Sequence, residues 1–415
     1  MGHLTKRGWS TKTPTITTAD ALEFKDRCRE SHTARWSADV TRWDGSDEVT
    51  LATDIPITGG RLTLDAGDQI RRQLTITVGG GDEWEATAAN DPLPPWGQRI
   101  HLYVQIDRAG GGWFPRLKMF TGPIRENVFE RPSLITTLTC ADPGSTLHEY
   151  LHVRRKGYGG QTLVDAIDAM IDAALPSGLY DVEASAGAVD VDVKTFVADA
   201  GQSRLEAANE VAGKWGYEVF FDWAGDAVIR RDLTDDDDAT WDPSEAGPDI
   251  GDVARPVAVF ADMEHGNLVG TTVSLSREGS VNGVAVNLDA LRKPKDDPDT
   301  PLHWNHLETA GGSIAWGDVF GRIPLVETKD VDKITDPLTD RQTQRARKLL
   351  KRRRGMVQFV DFDAIPSYWV EPDDRVTVSI NGAAPANYYL ERIEFDLTGD
   401  AMRCRTRVLT TPSLT

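Results

Sequence analysis

The chain has 415 residues, 40% of them hydrophobic and 27% charged, and a formal net charge of −19. That length carries about three domains with cores of their own, and that balance excludes disorder along the whole chain. The negative mean field repels phosphate, which excludes general binding to DNA, RNA or anionic lipid.

The N-terminus, MGHLTKRGWSTKTPT, has no apolar core of signal-peptide length, and no apolar run approaches the length of a membrane span. Neither a cleaved leader nor a span is expected, and the protein is expected to be made in a cytoplasm. Residues 1–35 read as an arm with a short helix from Ala19 to Glu30, weakly capped by Thr18. Residues 36–150 read as the first β domain. "RLTLD" and "RRQLTITV" alternate apolar and polar positions through Leu62, Leu64, Leu74, Ile76 and Val78. "RIHLYVQID" places Ile100, Leu102, Val104 and Ile106 on one face, and "SLITTLTCAD" does the same with Leu134, Leu138 and Cys140. Gly- and Pro-rich turns such as "GGGDEW", "DPLPPWG" and "RAGGGWF" separate them, which suggests a small antiparallel barrel or sandwich.

The period then changes, and residues 151–255 read as an α/β domain. "QTLVDAIDAMIDAAL" gives a helical stripe of Leu163, Ile167, Met170, Ile171, Ala174 and Leu175, opposite Asp165, Asp168 and Asp172. "SRLEAANEVAGKWG" starts with a capping box, Ser203 and Glu206, and can stop at Gly216. "YEVFFDWAGDAVIRRD" reads as a hairpin turning at Ala224–Asp226. An acidic stretch, "TDDDDATWDPSEAGPDIGD", follows as a linker or surface loop. Residues 256–415 read as a second β domain. It has strands at "TTVSLSRE", "NGVAVNLD", "MVQFVDFD", "RVTVSI", "YYLERIEFDL" and "MRCRTRVL", a loop-like region over about 290–338, and a basic helix at 341–354.

Catalytic and cofactor signatures are absent: no GxGxxG after a strand, no phosphate loop, no HExxH, no nucleophile elbow. No catalytic, cofactor-binding or metal residue is assigned, and no cofactor is expected. The three cysteines, Cys28, Cys140 and Cys404, are far apart and read as buried free thiols. The acidic run 235–238 lacks the glycine and the glutamate that an EF-hand loop needs. His303 and His306 could touch one metal from a single helical turn, but spacing places no further ligand beside them.

The basic helix holds eight Lys or Arg from Arg341 to Arg354 and no acid, so the rest of the chain carries −19 − 8 = −27. Asp340 can cap it, Ala346, Leu349 and Leu350 form a narrow apolar strip extended by Arg353, and Gly355 can stop it. No aromatic is interleaved for base stacking. It reads as a docking helix facing an acidic surface or another copy of the chain, with Arg345, Lys348, Arg352, Arg353 and Arg354 as candidate interface residues. Contact with nucleic acid is the rival reading; it requires a steeply salt-dependent affinity that collapses when Arg352, Arg353 and Arg354 are neutralised. In "MRCRTRVL", Met402, Cys404, Thr406 and Val408 point one way and Arg403, Arg405 and Arg407 the other. These three arginines form either a wet face or a second candidate interface.

The order of elements resembles that of bacteriophage tail hub proteins, over roughly residues 36–411. Gly97 and Ile100 stand before and in one strand, Phe120, Gly122 and Ile124 match an F-x-G-x-I strand, and Asp142 and Leu147 end the first domain. The run 205–216 followed by a hairpin looks like the middle of those proteins, "SVNGVAVN" like the strand opening their second barrel, and "YWVEPDDRVTVSI" like their closing segment. One departure is Asp373, where the family commonly has Gly, which puts the turn geometry in question. Another is the absence of a lytic or fibre domain. The resemblance implies an α+β, β-rich fold of two small antiparallel β-barrels flanking an α/β module. It implies a non-enzymatic virion protein at the tail tip: a homotrimer whose six barrels cap a hexameric tail tube, contact the distal tail ring, tape measure and tip or fibre proteins, and pass the genome. The alternatives are a distal tail ring protein, which would be hexameric, and a tail-associated cell-wall hydrolase.

Overall fold

The structure is a computed structural model. It describes residues 18–231 except 82–83, 89–90, 190 and 194, then 258–261, 266–276, 282–290, 303–310, 324–331, 356–380, 386–399 and 401–410, with a few single positions between.

Helix α1 (Thr18–Arg27) leads into six strands: β1 (Ala34–Trp43), β2 (Glu48–Asp65), β3 (Arg72–Gly79), β4 (Gln98–Ile106), β5 (Leu117–Glu130) and β6 (Ile135–Ala141). They pair antiparallel in the order β1-β4-β5-β6-β3-β2, and β1 also pairs with β2, so the ring closes into a six-stranded barrel. Its inside follows the alternation read from sequence, with Leu62, Leu64, Leu74, Ile76, Ile100, Leu102, Val104, Leu138 and Cys140 all buried; Leu134 is the exception, because it lies in the turn before β6 with φ +51° and is exposed. Helix α1 is packed and not free, with Phe24 buried edge-on to Phe114 at 5.4 Å and Arg27 paired with Asp107 at 2.8 Å. Strand β5 changes partner from β4 to β6 at Gly122. A Cβ there would collide with the Ala141 carbonyl oxygen, so only glycine lets the strand turn that corner. Gly122→Val is expected to cost about 1–3 kcal/mol by forcing the two backbones apart; an unchanged urea midpoint would show that the corner relaxes freely.

Next come α2 (Gly144–Glu149), β7 (Lys156–Gly157), β8 (Gln161–Thr162), α3 (Leu163–Ile171), β9 (Val182–Ala184), α4 (Ala186–Val189), β10 (Asp192–Val193), β11 (Val197–Ala198), α5 (Arg204–Lys214), β12 (Tyr217–Phe221) and β13 (Ala227–Arg231). Thr162 caps α3 by accepting the Asp165 N–H at 3.1 Å, and Ser203 and Glu206 form the expected capping box on α5. The two helices bury Leu163, Ile167, Met170 and Ile171 against Leu205, Ala208 and Ala212 in one core. Strands β12 and β13 make the expected hairpin, and β9 adds to β13 in parallel.

The last part holds β14 (Ala258–Ala261), β15 (Leu268–Ser276), β16 (Gly283–Ala290), β17 (His303–Thr309), β18 (Pro324–Val331), β19 (Met356–Ala364), β20 (Arg375–Ser379), β21 (Ala386–Asp396) and β22 (Met402–Thr410). Strand β21 pairs with β2 of the barrel, and from it the order continues β22-β19-β15 on one side and β20-β14 on the other. Among the described residues this second array also has six strands; its β14–β20 pair is parallel. The Asn267 side chain ties β14, accepting the Ala261 N–H at 3.0 Å and donating to the Val259 carbonyl at 3.1 Å.

The chain divides into two compact units. The first comprises Met1–Arg231, Asp242–Thr271 and Asp361–Thr406, and so holds the barrel, the α/β module and β14, β20 and β21. The second comprises Asp232–Trp241, Thr272–Val360 and Arg407–Thr415. Its described part is the three-stranded sheet β17-β16-β18, helical positions between Thr339 and Leu350, and the portions of β15, β19 and β22 that fall in these ranges. Two expectations fail here. Among the described residues, 290–338 hold two strands, β17 and β18, where the sequence suggests a loop. The "SVNGVAVN" segment gives β16, the centre of this separate sheet, and does not open the second array. Its alternation identified a strand but not the strand's partners, which are about 20 to 40 residues away.

Candidate functional site: a buried charged junction and two basic surfaces

In the first unit, three modules meet at one set of charges. Arg71 and Arg72 stand at the start of β3, Glu218 on β12 and Arg230 on β13. Glu371 and Asp373 lie on the turn before β20. Arg230 binds Asp373 through Nη2 at 2.6 Å and Glu218 through Nε at 2.7 Å. Arg71 reaches the same two carboxylates, Glu218 at 2.8 Å and Asp373 at 3.2 Å. The Phe220 ring lies 4.0 Å from the Arg71 guanidinium carbon and 4.8 Å from that of Arg230. Two cations and two anions, each no more than 20% exposed, thus neutralise one another in a closed square. Burial alone would raise the Glu218 carboxyl; Arg230 and Arg71 outweigh it and hold the group below its ordinary value. The same acids hold Arg230 firmly charged against its burial.

Asp373 has φ +69°, the left-handed region that glycine enters most easily. The turn therefore keeps the geometry expected of a glycine at this position. The aspartate carboxylate adds a shared counter-ion for two buried arginines.

Beside this square, Arg72 pairs with Glu371 and donates from Nε to the Phe221 carbonyl at 3.2 Å. Asp142 accepts the backbone N–H groups of Arg72 and Gly144, each at 2.9 Å. Burial pushes its carboxyl up to about 7 against those bonds. Asp222, at the β12–β13 turn, accepts three backbone N–H groups, from Ala224, Gly225 and Asp226. Burial and then the nearby Asp226 charge push it up to about 7 as well. The hairpin tip touches the barrel: a Cβ on Gly225 would meet Thr121 at 2.9 Å and Arg99 at 3.0 Å. This contact explains why β4 is buried on both faces, although its sequence alternates. His101 bonds Thr41 and Thr121, and Arg99 pairs with Glu48 at 3.1 Å. Burial opposes ionisation of Glu48, but His101, Arg99 and Thr41 bring it down to about 2.

The candidates taken from the sequence lie elsewhere. Of the basic helix, Ala346 and Leu350 are buried against Val284, Val286 and Ala310, and Gln342 is buried as well. Arg347 is exposed and pairs with Glu308 at 3.3 Å. Arg345, Lys348, Arg352, Arg353 and Arg354 lie outside the described residues, as do Asp340, Leu349 and Gly355. On β22, Met402, Cys404 and Thr406 face inward, while Arg403 and Arg405 face out as read from the alternation. They pair with Asp363 at 3.6 Å and Asp361 at 2.8 Å on β19; the Arg407 side chain lies outside the described set. Because these pairs are exposed, Arg403→Ala or Arg405→Ala is expected to cost under about 1 kcal/mol. A loss beyond that in chemical denaturation would mean that the strand depends on them.

The histidine pair is corrected. His303 and His306 lie on strand β17 and not on a helical turn, so a spacing of three puts them on opposite faces. His303 pairs with Asp289 at 2.7 Å and His306 with Glu308 at 3.0 Å. The acidic run 235–238 lies outside the described residues. Among the described residues, no group of three or more His, Cys, Asp or Glu is placed to hold a metal ion. No described helix is long and apolar enough to cross a membrane.

No family model and no curated protein matches the chain. Solved structures do. A tail protein from Neisseria meningitidis superposes with a TM-score of 0.57 at 14% identity, over 90% of this chain and 97% of that one. A prophage tail protein from Listeria monocytogenes gives 0.52 at 8% identity, over 91% and 96%. The fold is that of phage tail proteins. A Francisella PdpA–VgrG complex extends the likeness, with a TM-score of 0.54 at 8% identity over 96% of this chain and 56% of the other. The charged junction was not legible beforehand. Its one signal was Asp373, an acid at a position where the tail-hub resemblance led one to expect glycine.

Proposed function

We propose that this chain is the hub of a bacteriophage tail tip or baseplate, a structural virion protein without catalysis. In this reading three copies close into a ring that caps the tail tube and passes the genome. The observation that carries it is the edge-to-edge pairing of a closed six-stranded barrel with a second six-stranded array through β2 and β21. Two such bodies per chain let three chains offer six similar positions to a sixfold tube, and contacts that repeat head to tail must close. The junction around Asp373 supports the mechanical role, since it fixes barrel, α/β module and closing turn to one another with buried charge. The surplus of acids fits a lumen that repels DNA and lets it slide. Partners in this reading are further copies of the chain and neighbouring tail proteins, within the virion after synthesis in the host cytoplasm.

Native mass spectrometry with negative-stain imaging tests it. The expected result is a species of three times 45.6 kDa forming a three-lobed ring with a central hole. A six-membered ring would replace the hub with a distal tail ring, and muralytic activity of the purified chain would replace it with a hydrolase.

A further inference from the structure

Residues 150–157 run antiparallel to 197–204 as a narrow ribbon on the α/β module. Leu151 bridges Ser203, His152 exchanges backbone bonds with Gly201 and Gln202, and β7 pairs with β11. Alternation sorts its side chains. His152 points in and is 2% exposed, while Leu151, Val153 and Val197 point out, at 50%, 96% and 50%. Tyr150, at 52%, widens the apolar patch. Arg154, Arg155 and Lys156 follow directly in sequence and are exposed; Arg155 pairs with Asp199 at 3.0 Å, and the patch keeps a basic rim in a chain of net charge −19.

A second observation lies beneath the ribbon. His152 and Tyr158 stack edge to face at 5.9 Å, and Arg204 adjoins both closely enough to act on their titration. Arg204 lies within hydrogen-bonding reach of the Tyr158 hydroxyl, so the layer beneath the ribbon is polar and cationic. An apolar patch with a cationic rim over that layer describes a surface for an acidic partner.

We propose that this ribbon is a contact between copies of the chain, taking an acidic face of a second copy. Its carboxylates meet the Arg154–Lys156 rim, while apolar side chains cover Leu151 and Val153. The occupant follows from charge: apart from the basic helix, this rim is a concentrated run of cations in a chain that carries acid in excess, so a neighbouring copy supplies the complement. The assignment rests on the ring reading for its head-to-tail geometry, and its test is separable from it.

The test uses the full chain carrying Val153→Cys. Cys28, Cys140 and Cys404 are buried, so the introduced thiol is the reactive one. Alkylation by a maleimide is followed in dilute monomer and in the assembled oligomer. The expected result is at least tenfold protection on assembly. In parallel, Leu151→Glu with Val153→Glu should weaken self-association at least tenfold, and Val326→Glu, exposed on the separate three-stranded sheet, should leave it unchanged. Circular dichroism checks that each variant is folded. An oligomer in which the introduced thiol reacts as fast as in monomer overturns the ribbon contact and leaves the ring reading standing. A chain that stays monomeric at every concentration removes both.

Discussion

Asp373→Ala is expected to lower the unfolding free energy by about 3–5 kcal/mol, because it leaves two buried arginines with one carboxylate between them. Arg71 and Arg230 both bind Asp373 Oδ2, and the three side chains are 9–11% exposed, so water cannot take over. Asp373→Gly separates the two roles of the residue. It relieves a left-handed conformation that costs an ordinary side chain about 1–2 kcal/mol, yet still removes the counter-ion. The net effect is expected to be a loss smaller than that of alanine. Asp373→Asn tolerates the conformation and keeps an acceptor without the charge, so it should fall closer to wild type. Urea denaturation of the four proteins gives the order wild type, Asn, Gly, Ala. If glycine equals or exceeds wild type, the junction contributes nothing that the turn does not.

Stability should also peak in acid, at about pH 4, and decline on both sides for different reasons. Asp142 and Asp222 have folded values of about 7, above the ordinary aspartate value of 3.8. Between those values the native state holds protons that the unfolded chain has released. The unfolded state therefore gains relative stability as pH rises through that window. At face value each group costs up to about 4 kcal/mol by roughly pH 8. Glu48 has the opposite sign. Its folded value is about 2 against 4.5, so its contribution is complete above pH 4.5 and is lost as pH falls towards 2. Glu218, held low by Arg230 and Arg71, adds to that acid limb. Thermal melts from about pH 3 to about pH 8.5 should show the dome. Asp222→Asn, which keeps the oxygen accepting three backbone N–H groups, should flatten the alkaline side and leave the acid side alone. A wild-type melting temperature that climbs steadily from about pH 5 to about pH 8 would sink this account.

The elements that local periodicity controls were legible. The barrel strands alternate because one face of a sheet is packed. The α3 stripe and the Ser203–Glu206 box follow from helix geometry and from free N–H groups at a helix start. These are properties of short windows, and the chain states them directly. Even the orientation of Arg403 and Arg405 came from a period of two.

Partnership between distant segments was not legible in this way. Nothing in "SVNGVAVN" says that it pairs with residues 303–309 and 324–331, nothing in "HWNH" says strand in place of helix, and nothing in "RIHLYVQID" says that both faces are covered. The junction is the sharpest case. Arg71, Glu218, Arg230 and Asp373 are separated by up to 302 positions, and each reads alone as an ordinary surface charge. The reason is physical: local sequence sets φ, ψ and the direction of side chains, whereas burial and charge pairing depend on which segments the tertiary fold brings within a few ångströms. The sequence determined the locally periodic elements and their likeness to tail hubs; the tertiary structure decided which segments pair and which charges went inside.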